Sequence, residues 1–210
     1  MLVWINGPFG GGKTQTAHEL RRRLPGSVIC DPEEVGFGLH RMTPRHLRGD
    51  FQDLRAWREG VFEVLDLTLA ASVCPIIVPM TVVDPVYFVE TVGRLRDRGH
   101  EVHHFALLAQ RATVVRRLRE RSLGRALQLV ASRGAPLRRE SFAVSKLDLC
   151  LERLREPSFA EQVWTDHLRI DQVADHIAVS AGLQLSPNTD GAIRGRARRA
   201  WIGATHIRLK

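Results

Sequence analysis

The sequence predicts an α/β fold in which a parallel five-stranded sheet carries helices on both faces. Short apolar runs of the kind found in buried strands alternate along the chain with longer stretches of helical spacing. The first run leads through a glycine-rich loop directly into a helical stretch. Such alternation implies right-handed crossovers between parallel strands. The 210 residues, with 44% hydrophobic and 26% charged residues, suffice for one globular domain of this class.

The strands and the helices between them are placed in chain order by their apolar spacing. Strands are predicted at Leu2–Asn6, Val28–Cys30, Cys74–Met80, Val102–Leu108 and Gln162–Thr165. Helices are predicted at Thr14–Leu24, Asp84–Arg98, Ala112–Arg121 and Asp171–Ala181. The third strand has three consecutive β-branched residues at its centre, the pattern of a strand buried on both faces.

Three segments depart from this rhythm. Phe37–Glu63 is rich in charged and aromatic residues, and Ser122–Ser141 contains two glycines and a proline. From Ile193 onward, apolar residues fall near one helical face of an otherwise arginine-rich stretch. We therefore expect one domain over residues 1–185, with a substrate-side insertion at 37–63 and a lid at 116–141. A basic amphipathic tail over 186–210 follows it, either docked on the domain or in contact with an anionic membrane surface.

The charge and the cysteines limit the classes of partner and compartment. The formal net charge is +8, and all but three of the 31 basic residues are arginine. Positive charge suits nucleotides, nucleic acids and membranes alike. Without interleaved aromatics or a known nucleic-acid module, we expect no nucleic-acid partner. Three cysteines without C-x-x-C spacing predict neither disulfides nor a zinc site and favour the cytoplasm. No signal peptide or transmembrane helix is predicted.

The loop after the first strand matches the phosphate-binding motif G-x-x-x-x-G-K-[ST]. It sits between a strand and a helix, as that motif requires. Its glycines permit backbone angles that turn successive N–H groups toward a polyphosphate, and the following helix adds its positive N-terminal dipole. Lys13 is expected to reach the β- and γ-phosphates during transfer, and Thr14 to complete the coordination of Mg²⁺. The nucleotide-binding residues are Gly7, Pro8, Phe9, Gly10, Gly11, Gly12, Lys13, Thr14 and Gln15.

Two further groups are candidates for the chemistry of phosphoryl transfer. The third strand ends without the acid that often helps to hold Mg²⁺ in P-loop ATPases. Asp31 instead ends the second strand, next to the first in sequence, and is therefore expected close to the phosphate loop at the carboxyl edge of the sheet. Asp31 either accepts a proton from an attacking hydroxyl or caps the following helix, and the two roles can coexist. Arg117 and Arg121 share one helical face and either clamp the transferring phosphoryl group or form a solvated surface.

Several short motifs are spread over nearly the whole chain: Trp4-Ile5-Asn6-Gly7, the loop through Lys13-Thr14-Gln15-Thr16, Asp31-Pro32-Glu33, Asp50-Phe51-Gln52, Trp57-Arg58, Val78-Pro79-Met80-Thr81, His103-His104-Phe105, Arg117-Leu118-Arg119, Thr165-Asp166 and His206-Ile207-Arg208. Together they resemble the tunicamycin-resistance proteins. The resemblance implies a P-loop NTPase fold like that of small-molecule kinases acting on shikimate, gluconate or chloramphenicol. It also implies ATP and Mg²⁺ as cofactors and protection against a nucleoside antibiotic.

The resemblance assigns residues to the acceptor as well. It implies Asp31 as the base, apolar contact with the drug from Phe51, Trp57 and Met80, and hydrogen bonds from Gln52, Arg58 and Thr81; local packing of the insertion is the alternative. The expected function is therefore an ATP-dependent phosphotransferase acting on a hydroxyl of tunicamycin. The alternative is an ATP-dependent protein that binds and sequesters the drug unmodified. The resemblance to this family also implies that the C-terminal tail contacts the inner face of the membrane peripherally.

Overall fold

The structure is a computed structural model that describes residues 1–129, 146–159 and 161–205, and it confirms the α/β fold. Its strands are β1 (Leu2–Asn6), β2 (Val28–Ile29), β3 (Ile76–Pro79), β4 (Val102–Leu108) and β5 (Gln162–Trp164). They form one sheet in the order β2-β3-β1-β4-β5, and every neighbouring pair is parallel. The strand that leads into the phosphate-binding motif is therefore the central strand of the sheet.

Helices lie near all four predicted positions, and the structure adds others between and after them. They are α1 (Lys13–Arg23), α2 (Glu33–Met42), α3 (Arg55–Ala71), α4 (Pro85–Phe88), α5 (Arg94–Asp97), α6 (Arg111–Leu129), α7 (Leu147–Arg153), α8 (Ile170–Ser180) and α9 (Ala192–Thr205). A π-helical turn, Val89–Gly93, joins α4 to α5. The predicted lid begins within α6, which continues to Leu129; residues 130–141 of that prediction lie outside the described residues.

The core lies on both faces of the sheet, as the buried strand pattern predicts. Successive side chains of β1 point to opposite faces. Leu2 and Trp4 join the cluster that includes Trp57 of α3, whereas Val3 and Ile5 join the cluster formed with α1 and α8. All four of these β1 side chains are fully buried. Central strands covered on both faces hold the carboxyl edge of the sheet rigidly.

The expected insertion at 37–63 is more regular than its composition predicts. It contains the end of α2, two short 3₁₀ turns at Arg45–Leu47 and Phe51–Asp53, and the first half of α3. The ring of Phe51 packs against those of Phe37, His40 and Trp57, with centroids 5.4 to 6.4 Å apart. The aromatic residues of this segment therefore pack α2 against α3.

The C-terminal tail docks on α1. Before α9, the Ser186 N–H donates to the Arg23 carbonyl (2.7 Å), and Arg23 Nε donates to the Ser186 carbonyl (2.8 Å). Within α9, Ile202 is buried while Trp201 is 70% exposed. Arg198 forms an ion pair with Asp190. None of the described helices is long and apolar enough to cross a membrane.

Gly36 provides a stability test of the packing around Phe51. A Cβ at Gly36 would lie 2.5 Å from the ring of Phe51, whereas a Cβ at Gly38, in the same helix, meets nothing closer than 4.0 Å. We expect Gly36→Ala to lower the free energy of unfolding by about 1–3 kcal/mol through overpacking. Gly38→Ala should instead leave it unchanged or raise it by up to about 1 kcal/mol, since alanine favours helix.

Urea denaturation of the two variants measures this difference. Equal stability of Gly36→Ala and Gly38→Ala would contradict the packing of Phe51 onto α2.

Candidate nucleotide and acceptor site

Asn6, the fully buried last residue of β1, directly precedes the phosphate-binding motif. Asn6 Oδ1 accepts hydrogen bonds from the N–H groups of Gly7 (2.9 Å) and Val82 (3.1 Å). Asn6 Nδ2 donates to the Val82 carbonyl (2.7 Å) and lies 3.3 Å from His104 Nε2. A buried amide that is satisfied on both sides holds its partners in one arrangement. Asn6 therefore fixes the first peptide of the loop relative to the segment that follows β3.

Two glycines give the loop its curvature. Gly10 and Gly12 have φ angles of 78° and 97°, in the left-handed region that favours glycine. A Cβ at Gly10 would lie 3.0 Å from Leu118 of α6, so that helix packs directly on the loop. The glycine backbone angles thus shape the loop, and α6 packs against it through Leu118.

Lys13 is the first residue of α1 and is only 9% exposed. Its Nζ donates to the carbonyls of Gly7 (2.9 Å) and Pro8 (3.1 Å) and lies 5.6 Å from the ring centroid of Phe9. The first turn of α1 contains no acidic residue. The loop thus combines a buried ammonium, the N-terminus of α1 and glycines with left-handed φ angles. Together these features form an anion site suited to a polyphosphate.

Thr14 and Gln15 lie in the first turn of the same helix, and both are half-buried. A threonine hydroxyl directly after the loop lysine is a hard oxygen ligand of the kind that Mg²⁺ prefers. The residues of this loop therefore fit a Mg²⁺-bound nucleotide, and Thr14 is the one that would bind the metal.

Arg117 ties α6 to the end of β5. Its guanidinium donates to Thr165 Oγ1 (3.0 Å) and to the Thr165 carbonyl (2.7 Å). Burial lowers the pKa of the Arg117 guanidinium, although the nearby Asp166 carboxylate acts in the opposite direction. The predicted phosphate clamp is thus engaged with Thr165 in this structure. Arg121 lies one turn later in α6, and its side chain is outside the part of the chain that the structure describes.

Asp31 follows β2 at the same edge of the sheet as the phosphate loop. Its Oδ1 accepts a hydrogen bond from the Glu33 N–H (3.0 Å) and caps α2, so the predicted capping contact is confirmed. The sheet order places β3 between β2 and β1. Although β2 follows β1 in the chain, Asp31 is therefore not directly beside the loop. The ends of β2 and β1 are two strand spacings apart, roughly 10 Å.

The polar residues assigned to the acceptor connect to one another around the end of β3. The Thr81 hydroxyl donates to the Gly7 carbonyl (2.7 Å), and Gln52 Nε2 donates to the Thr81 carbonyl (3.0 Å). Arg58 donates to the Gln52 carbonyl and to Glu90, and lies 4.4 Å from the ring centroid of Tyr87. Thr81, rather than an acid, thus lies beside the phosphate loop, two residues after β3.

The apolar residues assigned to the acceptor divide into two groups. Trp57 is fully buried and donates from Nε1 to the Pro32 carbonyl (3.0 Å), and Met80 is 2% exposed within the core. Phe51 is partly buried against the same cluster. Direct contact with a bound molecule, predicted for all three, is therefore not available to Trp57 and Met80 in this structure, because core packing covers their side chains.

Three residues around the site received no role from the sequence. Asn6 could have been identified from the sequence, because it is a polar residue at the end of an apolar strand. Asp50 and Lys146, joined by an ion pair of 2.8 Å, lie 96 residues apart, and no local pattern connects them.

Comparison with known proteins places this site in a family. The family model described as an AAA domain matches residues 2–139. The solved structure of the Deinococcus radiodurans tunicamycin resistance protein is similar, with 34% identity, 89% of this chain and 98% of that chain covered, and a TM-score of 0.69. No curated protein sequence matches the chain.

Two more distant structures show the same fold. The gluconokinase from Sinorhizobium meliloti 1021 has 14% identity and a TM-score of 0.56, covering 86% of this chain and 90% of its own. The shikimate kinase from Bacteroides thetaiotaomicron has 15% identity and a TM-score of 0.57, covering 87% of this chain and 99% of its own. The fold is thus that of P-loop kinase-like proteins.

Gly10 tests whether loop geometry is needed for nucleotide binding, with Gly99 as the control. Both residues have left-handed φ angles, but a Cβ at Gly99 meets nothing within 4 Å. Alanine at either position should cost about 1–2 kcal/mol of stability through backbone strain. Gly10→Ala should in addition displace Leu118 and misplace a loop amide. Losing one hydrogen bond to a charged phosphate, about 1.5–3 kcal/mol, weakens affinity about tenfold or more.

Titration calorimetry with Mg·ATP at a temperature where both variants are folded measures this difference. Equal affinities in Gly10→Ala and Gly99→Ala would contradict the assignment of the loop as the phosphate cradle.

Proposed function

Because the chain belongs to the AAA-domain family and to the tunicamycin resistance proteins, we propose that it transfers the γ-phosphoryl group of ATP to a hydroxyl of tunicamycin. The observation that carries this proposal is the placement of Asp31 at the sheet edge shared with the buried Lys13 and its glycine loop. An anion cradle with a carboxylate at the same sheet edge is the minimum that transfer to an alcohol requires.

The nucleotide is held in this proposal by the backbone of Gly7 to Gln15 and by the side chains of Lys13 and Thr14. When bound, ATP supplies the phosphoryl group, and Mg²⁺ neutralises part of its charge. Lys13 exchanges its two carbonyl partners for phosphate oxygens and stabilises the negative charge that develops during transfer. Arg117 and Arg121 add positive charge from α6, which packs against the loop through Leu118.

Asp31 orients the acceptor hydroxyl and accepts its proton as the hydroxyl oxygen bonds to phosphorus and the bond from phosphorus to the departing diphosphate breaks. The cap contact from Asp31 Oδ1 to the Glu33 N–H fixes the direction of the carboxylate. A base held in one orientation favours attack along one line.

The acceptor is expected to lie between the phosphate loop and the segment 37–63. Tunicamycin carries uracil, sugars and a fatty acyl chain, so its site needs both hydrogen-bonding and apolar surface. Phe51 provides ring surface, and Gln52, Arg58 and Thr81 provide polar groups. Trp57 and Met80 support this wall from the core, since both side chains are buried.

ATP-dependent sequestration of the drug is the second candidate. Two observations favour it: the residue that contacts the loop after β3 is a threonine, Thr81, rather than an acid, and β3 separates the strand of Asp31 from the strand that leads into the loop. A protein that only binds the drug would need the nucleotide to shape its site but would leave the drug chemically unchanged.

Substitution of Asp31 distinguishes the two functions. Asparagine also caps helices well, so Asp31→Asn should keep α2 intact while removing the proton acceptor. We expect the rate of phosphoryl transfer to fall by about 10²- to 10⁴-fold, with nucleotide affinity little changed. Asp84→Asn is the matched control, because Asp84 caps α4 through the N–H groups of Val86 and Tyr87 and should retain activity.

Mass spectrometry of tunicamycin after incubation with Mg·ATP is the measurement. The wild-type protein and Asp84→Asn should yield drug heavier by one phosphoryl group. Drug that binds only with ATP but keeps its mass would contradict transfer and establish sequestration.

A further inference from the structure

We infer that Gln52 and Asp50 are positioning residues that couple the acceptor-side segment to the nucleotide site through a continuous series of hydrogen bonds. We call this series the polar relay: Lys146, Asp50, Gln52, Thr81 and the Gly7 carbonyl. Its assignment to the acceptor side rests on the proposed function, whereas its connection to the phosphate loop rests on distances alone.

The outer half of the polar relay orients Gln52 from both sides of its peptide. Asp50 Oδ1 accepts from the Gln52 N–H (3.2 Å), while Asp50 Oδ2 accepts from Lys146 Nζ (2.8 Å). The Gln52 carbonyl accepts from the Arg58 guanidinium, which is itself bound to Glu90. A residue held at both its N–H and its carbonyl presents its side chain in a fixed direction.

The inner half reaches the first peptide of the phosphate loop. Gln52 Nε2 donates to the Thr81 carbonyl (3.0 Å), and the Thr81 hydroxyl donates to the Gly7 carbonyl (2.7 Å). Gln52 and Thr81 are both half-buried, so these bonds are partly shielded from competition by water. Thr81 is thus fixed through its carbonyl by the acceptor side and acts through its hydroxyl on the loop.

The Gly7 carbonyl is where the two sites meet. In this structure it accepts from Thr81 Oγ1 and from Lys13 Nζ, which fills the two lone pairs of a carbonyl. To reach a phosphate, Lys13 must give up this contact. The Thr81 hydroxyl is then the remaining donor that orients the Gly7 carbonyl. Removing this hydroxyl should therefore destabilise the nucleotide-bound state more than the free state. Nucleotide affinity should therefore depend on Thr81 and, through it, on Gln52.

A double-mutant cycle on the full chain tests the polar relay. The probe is a non-hydrolysable ATP analogue with Mg²⁺, and the measurement is its dissociation constant by titration calorimetry. We expect Thr81→Val to weaken binding about fivefold and Gln52→Met about threefold. The double variant should bind no more weakly than Thr81→Val alone, because both substitutions break one series. Thr81→Ser, which keeps the hydroxyl, should bind as the wild type does.

Asp50→Asn and Asp66→Asn form a matched pair for the outer half. Both side chains are 22% exposed and both form ion pairs, but Asp66 binds Arg98 and His100 at the far end of α3. Asp50→Asn should weaken analogue binding about twofold, and Asp66→Asn should leave it unchanged. This pair also tests the relay if Gln52→Met unfolds at the assay temperature, which a thermal melt reveals.

Wild-type affinity in Gln52→Met, or single effects that multiply to about fifteenfold in the double variant, would overturn the proposal. Adding tunicamycin separates the relay from the proposed function. The drug should tighten analogue binding in the wild type and do so less in Gln52→Met, since coupling between sites is reciprocal. If the drug has no effect on either protein while the nucleotide cycle is non-additive, the relay stands and the acceptor assignment fails.

Discussion

The site depends on one buried amide, that of Asn6, because it joins the start of the phosphate loop to the segment that follows β3. Its oxygen holds the N–H groups of Gly7 and Val82, and its nitrogen holds the Val82 carbonyl. Breaking such a buried set leaves several polar groups without partners, each at about 1–3 kcal/mol. The start of the phosphate loop and the segment after β3 therefore move together, and any ligand that positions one positions the other.

Around this fixed edge, the parallel sheet distributes the chemistry among strand ends. The loop after β1 forms the anion cradle, Thr81 after β3 contacts it, and Asp31 after β2 lies on the far side of β3. Arg117 approaches from the opposite side and is held by Thr165 after β5. In the proposed phosphotransferase, Lys13 supplies positive charge within the cradle, and Gln52 and Thr81 supply hydrogen-bonding groups on the side of the acceptor segment.

Most of the fold could be predicted because it follows from local patterns. The apolar period and the glycine loop located β1, α1 and β4 to within a residue or two. The neighbour relations could not be predicted in this way: Asp31 was expected beside the loop because β2 follows β1 in sequence, but β3 lies between them. Likewise, Trp57 and Met80 were assigned to contact with the ligand, but packing against residues distant in sequence buries both side chains. The pairing of Asp50 with Lys146 exists only once the chain has folded.

Both the proposed function and the polar relay require Lys13 and its loop to bind a triphosphate. The most direct measurement is titration calorimetry of Mg·ATP against the wild-type protein and Lys13→Met, which removes the ammonium but keeps the length of the buried stem. We expect one site per chain in the wild type and an affinity at least about 100-fold lower in Lys13→Met, because a buried charged contact of about 3 kcal/mol is lost. No binding heat in the wild type, or equal affinity in the variant, would contradict it.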